Sequence, residues 1–136
     1  MRDLVTLADA YSHLRLDFDS SGSADDDWLA VMIPAVSEAV ALWVKDESRL
    51  YVPELDTDGN PVVDSDGNTV AAIDSNGQMT VRPAVRAAAL IELSSQYRFR
   101  EGEGTENVVP PDAGHGFVLN KVSTALLAPL RRSTVA

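Results

Sequence analysis

The chain has 136 residues, no cysteine, and 21 acidic against 11 basic side chains, which gives a formal net charge of -10. This length suits one domain with its own core, and the lack of cysteine excludes disulfides and thiolate chemistry. The acidity argues against a nucleic-acid-binding surface, because such surfaces are usually basic. We find no signal peptide and no run approaching the roughly 20 apolar residues of a membrane span, so we expect a soluble, intracellularly made protein.

A short first helix is predicted near the N-terminus. Thr6 and Asp9 have the spacing of a capping box, in which two side chains bond the free backbone N–H groups at a helix start. Apolar residues then recur at the helical spacing, so we expect this helix over residues 6–16.

A second helix is expected over residues 26–45. Three consecutive acids, Asp25, Asp26 and Asp27, suit the positive end of the helix dipole, although such a cluster can also bind a cation. Pro34 lies inside the helix and predicts a kink or a division into two helices. The apolar stripe of this helix predicts three core side chains, Leu29, Ile33 and Val40.

Between residues 49 and 82 the pattern becomes rich in turns. Three near-copies of one turn begin at Asp56, Asp64 and Asp74 and separate short runs rich in β-branched residues. Asp-Gly and Asn-Gly between such runs are strong hairpin signals, because glycine accepts the positive φ that these turns need. The sequence therefore predicts a β-rich arm, a hairpin or meander, inserted between the second and third long helices.

The same turns raise the question of calcium binding. A calcium loop needs glycine at its sixth position and glutamate at its twelfth. Counted from Asp56 these positions hold Pro61 and Gly67, and counted from Asp64 they hold Thr69 and Ser75. Neither register fits, so we predict no metal site.

The third helix is expected over residues 83–100 and is apolar around most of its girth, so we predict that it is the central helix. Its predicted core side chains are Leu90, Leu93 and Tyr97. After a linker rich in glycine and proline, the last helix is expected over residues 118–132, with Leu126 in the core. Arg131 and Arg132 suit either the negative end of a helix or an acidic partner.

Motifs for catalysis and nucleotide binding are missing. There is no P-loop, no dinucleotide-binding glycine motif and no zinc-protease motif, and His13 and His115 lie in unrelated contexts. We therefore predict that the protein is not an enzyme and has no catalytic residue, metal or cofactor. A small hydrolase would need an acid–base pair that nothing in the sequence indicates.

The order of these elements resembles the head–tail connector family of tailed bacteriophages, also called adaptor or head-completion proteins. The resemblance is carried by Leu-Ala-Asp-Ala-Tyr-Ser-His-Leu-Arg-Leu-Asp at residues 7–17 and by the acidic start of the second helix. It continues with Pro-Ala-Val-Arg-Ala-Ala at residues 83–88 and Leu-Leu-Ala-Pro-Leu-Arg at residues 126–131. It covers about the first 45 and the last 55 residues and leaves residues 49–82 unmatched.

The resemblance implies a mainly α fold, a small four-to-five-helix bundle that forms a single domain over residues 1–136. Such proteins assemble into a homo-oligomeric ring, usually a dodecamer, in the neck of the virion after synthesis in the host cytoplasm. The ring docks under the portal protein, extends the DNA channel and allows a neck or tail-completion protein to attach below. DNA would pass without sequence-specific binding, an acidic channel would keep it from adhering, and no membrane or cofactor is implied.

Two contact surfaces follow from the resemblance. The portal interface is expected at the C-terminal end, where proline stops the helix and the last residues can leave the bundle as an extended arm. Its predicted residues are Leu127, Pro129, Leu130, Arg131 and Arg132. Neighbouring subunits are expected to meet through Arg98 and Arg100 of one copy and the acids at residues 25–27 of the next. The alternative is a monomeric acidic binding module, regulatory or calcium-dependent, that uses the turns of residues 56–78.

Overall fold

The computed structural model describes residues 2–16, 24–99 and 119–133, and this part of the chain is mainly helical. Its four α-helices are α1 (Leu7–Leu14), α2 (Ala24–Val44), α3 (Pro83–Phe99) and α4 (Lys121–Leu127). Short 3-10 helices, Glu47–Leu50 and Ala128–Leu130, follow α2 and α4. The four predicted helices are confirmed, but the last is shorter than expected, because it begins at Lys121, changes to 3-10 geometry at Ala128 and ends at Leu130.

The helices enclose one core, with α3 packed against α1, α2 and α4. Four of the predicted core residues are buried, namely Leu29, Ile33, Val40 and Leu93. The other three, Leu90, Tyr97 and Leu126, are only partly buried. On α4 the fully buried leucine is Leu127 rather than its neighbour, which shifts the predicted core face of that helix by one residue.

The start of α1 is the predicted capping box. The Asp9 backbone N–H donates to the Thr6 hydroxyl at 3.0 Å, and the Thr6 backbone N–H donates to Asp9 Oδ2 at 3.0 Å. Arg86 of α3 also pairs with the Asp9 carboxylate. Burial raises the pKa of Asp9, but the hydrogen bonds from Thr6 and the Arg86 charge outweigh it, so the pKa is lowered.

The predicted β-hairpin or meander arm is wrong, because no β-strand is present anywhere in the described residues. Residues 51–82, which we call the clover segment, contain three tight turns and isolated antiparallel bridges. The bridged pairs are Tyr51 with Val81, Pro53 with Ala71, Leu55 with Pro61, Val63 with Thr69, and Ile73 with Met79.

Two closed rings of backbone hydrogen bonds replace a β-ladder in the clover segment. Val52 donates to Thr80, Thr80 donates to Ala72 and Ala72 donates back to Val52, each at 2.8 Å. A second ring of the same kind joins residues 54, 62 and 70, each bond at 2.9 Å. At each ring the chain changes its bonding partner after a single bridge. Because a ladder needs consecutive pairs between the same two segments, no strand develops.

The composition of α2 departs from the expectation that no stretch is apolar enough for a membrane span. By the two criteria of length and composition alone, its Asp25–Val44 stretch, with a mean hydropathy of 1.5, could cross a membrane. Within the structure 33% of that stretch is buried. The core helix of a soluble protein meets the same criteria, so they are weak evidence for a membrane. They do show that α2 is apolar beyond its buried side.

Candidate assembly surfaces

The side of α2 that faces away from the core has an exposed apolar stripe. Val31 is 68% exposed and Leu42 is 70% exposed. We define the α2 outer stripe by its exposed residues, which are Asp27, Ala30, Val31, Pro34, Ala35, Glu38 and Leu42. These positions recur every three to four residues and so lie on one helix face. Two large apolar side chains exposed on one helix face make this stripe a candidate contact surface.

Two of the three acids at the start of α2 are bonded within the same chain. The Tyr97 hydroxyl donates to Asp25 Oδ1 at 3.3 Å, and the Tyr11 hydroxyl donates to Asp26 Oδ1. Tyr97 also packs edge-on against Trp28, with ring centres 5.4 Å apart. The acidic start of α2 is thus held against α1 and α3 by tyrosines.

The predicted subunit contact between the acids of residues 25–27 and two arginines stays a prediction. Asp27 is exposed on α2, and Arg98 is exposed near the end of α3. Arg100 lies outside the described residues. Asp25 and Asp26 accept hydrogen bonds from tyrosines of their own chain. Asp27 is the one acid of the three that lies on the α2 outer stripe.

The C-terminal segment is bonded to the end of α2. Arg131 Nε donates to the Trp43 carbonyl at 3.1 Å, and its guanidinium lies 4.5 Å from the centre of a Trp43 ring. The Arg132 backbone N–H donates to the Val44 carbonyl at 2.9 Å. The last carbonyls of a helix have no partner inside it, so these bonds cap α2 and place positive charge at its negative end. We call residues 128–132 the C-terminal strap.

The strap changes the expectation for the predicted portal residues. Leu127 is buried in the core, and Leu130 is partly buried while its carbonyl accepts a bond from Arg49 at 3.3 Å. Pro129, Arg131 and Arg132 are exposed. As far as residue 132 the chain therefore stays on the bundle and is not an extended arm. Arg131 serves a helix end through its side chain and Arg132 through its backbone N–H, but this end belongs to α2 and not to the last helix.

A buried polar cluster joins α3 to α4 and was not predicted. Glu92 is 1% exposed, and its carboxylate accepts the backbone N–H of Asn120. The Asn120 side chain in turn caps α4 by accepting the Val122 N–H at 2.9 Å. The buried Ser123 hydroxyl donates to the Ala88 carbonyl at 3.3 Å. The signal that could have identified Glu92 is its position on an otherwise apolar stripe of α3.

The acids that begin the clover turns bond the backbone of their own turns. Asp56 Oδ1 accepts the N–H groups of residues 58 and 60 at 2.9 Å each. Asp64 and Asp74 accept the equivalent pairs at 2.8–3.0 Å. These bonds explain the recurrence of aspartate by turn geometry. Within the described residues no group of three His, Cys, Asp or Glu side chains could hold a metal ion.

The clover segment also carries charge of one sign over most of its length. Residues 54–80 contain six acids (Glu54, Asp56, Asp58, Asp64, Asp66 and Asp74) and no lysine or arginine. All six side chains are exposed. The residue before each turn is apolar and more than half exposed, at Leu55, Val63 and Ile73. The segment thus presents acidic turns rather than a surface that would attract phosphates.

A shallow groove of about 410 Å³ lies between the N-terminal segment, α2 and Gln78 of the clover segment. Asp3 and Asp26 lie at it together with Arg2, and Ala30 and Pro34 form part of its apolar wall. Because those two wall residues also belong to the α2 outer stripe, the groove and the stripe are one continuous surface.

Comparisons of the chain with protein-family models, with curated proteins and with solved structures found no match.

Of the two histidines, His13 is exposed on α1 and His115 lies outside the described residues. The surfaces left to explain are the α2 outer stripe, the exposed side of the strap and the acidic turns.

Proposed function

We propose that this chain is a structural virion protein, a ring-forming connector subunit like the head–tail connectors that its sequence resembles. The observation that carries the proposal is the α2 outer stripe, which exposes Val31 and Leu42 on a helix whose opposite face fills the core. Burying one such side chain fully is worth about 1.5–3 kcal/mol. Covering both therefore favours assembly by a few kcal/mol per subunit.

The charge distribution supports a DNA channel. The clover segment presents six acids and no base between residues 54 and 80. A wall of like charge repels the phosphates of passing DNA and so prevents adhesion. We propose that DNA passes the ring without being bound and that the protein has no enzymatic role.

The C-terminal strap supports a docking role toward a portal protein. Its exposed Arg131, beside the partly buried Leu130, combines an apolar surface with a charge that suits acidic groups on a partner. Because the bundle holds the strap in place, docking needs little ordering of the chain. We propose that the ring, a dodecamer in the particle, meets the portal with this side and a neck or tail-completion protein with the other.

The proposal is tested by negative-stain electron microscopy and native mass spectrometry across a concentration series. We expect closed rings whose masses are whole multiples of 14.6 kDa. A protein that remains a monomer at its highest soluble concentration, and whose melting temperature rises saturably with calcium, would contradict the proposal. That result would favour the monomeric acidic binding module instead.

A further inference from the structure

A second exposed apolar stripe lies on α4 and the turn that follows it. Val122 is 55% exposed, and Ala125, Ala128 and Pro129 are exposed on the same side. Lys121 and Arg132, both exposed, lie at its two ends. We call these six residues the α4 outer stripe. It differs from the α2 outer stripe in charge, because its flanking residues are basic while Asp27 and Glu38 are acidic.

The two stripes do not cover each other within one molecule. Both helices pack on α3, and bonds between α2 and the C-terminal region run through the strap at the end of α2. Each molecule therefore presents an acid-flanked apolar stripe on one helix and a base-flanked apolar stripe on another. Small side chains in both, Ala30 and Ala35 in the first and Ala125 and Ala128 in the second, permit close helix packing.

We infer that the α2 outer stripe of one copy packs on the α4 outer stripe of the next copy. The inference rests on the proposed function and names the contact that forms the ring. A contact between two different patches leaves one of each free on a growing oligomer, so copies keep adding and form a ring where the rotation between neighbours closes. The opposite charges favour pairing the α2 outer stripe with the α4 outer stripe over pairing either stripe with its own copy.

A symmetric dimer through two α2 stripes is the rival arrangement. Placed antiparallel, it would set Val31 against Leu42 of the other copy. It would bury the α2 stripe twice but leave Val122 and its neighbours on α4 exposed. The head-to-tail contact covers both stripes, and it is therefore the arrangement that we favour.

Engineered cysteines distinguish the two arrangements, because the natural chain has none. Single variants V31C, L42C and V122C are mixed in pairs and oxidised mildly, and dimers are counted on a non-reducing gel. Each replaced residue is more than half exposed, so each variant should fold. The control is I73C, which exposes a thiol to a similar degree on the clover segment.

We expect V122C to cross-link with V31C or L42C at least about fivefold more than with I73C, since a preformed contact raises the effective thiol concentration. A double variant with both thiols of the productive pair should give a ladder of oligomers. A dominant V31C–L42C product, or V122C yields no higher than with I73C, would overturn the inference. If wild-type rings form in those cases, only this interface is wrong; if no rings form, the proposed function also fails.

Discussion

The helical core and the clover segment are ordered by different interactions. Every fully buried apolar side chain among the described residues lies outside residues 52–84, whereas those residues bond mainly through their backbone. Within the clover segment, Tyr51 belongs to the core, and Ala71, Met79 and Val81 pack against it, all near the base of the segment. Side-chain burial thus stabilises the helices, and local turn bonds with two closed backbone rings hold the clover segment.

The largest effect is expected from a cavity in the core. Leu93→Ala should lower the free energy of unfolding by about 2–5 kcal/mol, because Leu93 is fully buried. The matched control is Leu90→Ala on the same helix, where the side chain is only partly buried and the loss should be clearly smaller. Urea denaturation of both variants measures the difference. Equal losses would show that the core boundary on α3 is misplaced.

Two deletions of different depth probe the clover segment. Replacing residues 54–70 with Asn-Gly joins the bridged pair Pro53 and Ala71 by a two-residue turn and should leave helical content unchanged. Replacing residues 56–79 with a Gly/Ser linker also removes Ala71 and Met79 from the core edge. We expect this deeper deletion to cost about 1–2 kcal/mol more. Far-UV circular dichroism and thermal melts report both, and helix loss in the shallow deletion would refute the separation of the two regions.

The strap should contribute stability through one arginine side chain and not the other. Arg131→Ala removes both the bond to the Trp43 carbonyl and the contact with its ring, at a cost of about 1 kcal/mol. Arg132→Ala keeps its bond to Val44, because the donor is the backbone N–H, and should be near neutral. Chemical denaturation separates the two variants. A larger loss for Arg132→Ala would mean that the strap is held by other contacts.

The smallest effect concerns pH. The folded-state pKa of Asp9 is lowered by Thr6 and Arg86 despite burial, so ionised Asp9 adds stability above its unfolded pKa of about 3.9. That stability is lost as the pH falls through the folded pKa. Asp9→Asn should therefore be less stable than the wild type by roughly 0.5–1 kcal/mol near neutral pH. The gap should narrow as the pH falls below the unfolded pKa and through the lower folded pKa, and a gap independent of pH would exclude this linkage.

Whether a feature could be predicted from the sequence depends on how many positions apart in the sequence its bonded residues lie. The capping box and the clover turns involve residues two to four positions apart, and both were recognised from local motifs. Arg131 and Trp43 are 88 positions apart, and Glu92 and Asn120 are 28 apart. Neither pairing has a local signature, so the strap and the buried polar cluster could not be derived from periodicity.

The error over the predicted meander has a related cause. The turns beginning at Asp56, Asp64 and Asp74 form as the sequence indicates, but turn chemistry does not determine which segments pair next. Within the clover segment, each short stretch between turns bonds two other stretches in a ring instead of one neighbour along a ladder.

The exposed side of α2 was missed for a different reason. Apolar periodicity locates its core face, whereas Val31 and Leu42 are only two further apolar residues and have no period of their own that would indicate a second face.

The central claim, that the α2 outer stripe drives assembly, is tested most directly by the mass of one variant in solution. Val31→Glu combined with Leu42→Glu should stay monomeric in light scattering at concentrations where the wild type forms rings, with an unchanged helical signal. The matched control is Val63→Glu combined with Ile73→Glu, which also replaces two exposed apolar residues, on the clover segment. That control should assemble like the wild type. Rings of wild-type mass from the Val31→Glu, Leu42→Glu variant would contradict the account.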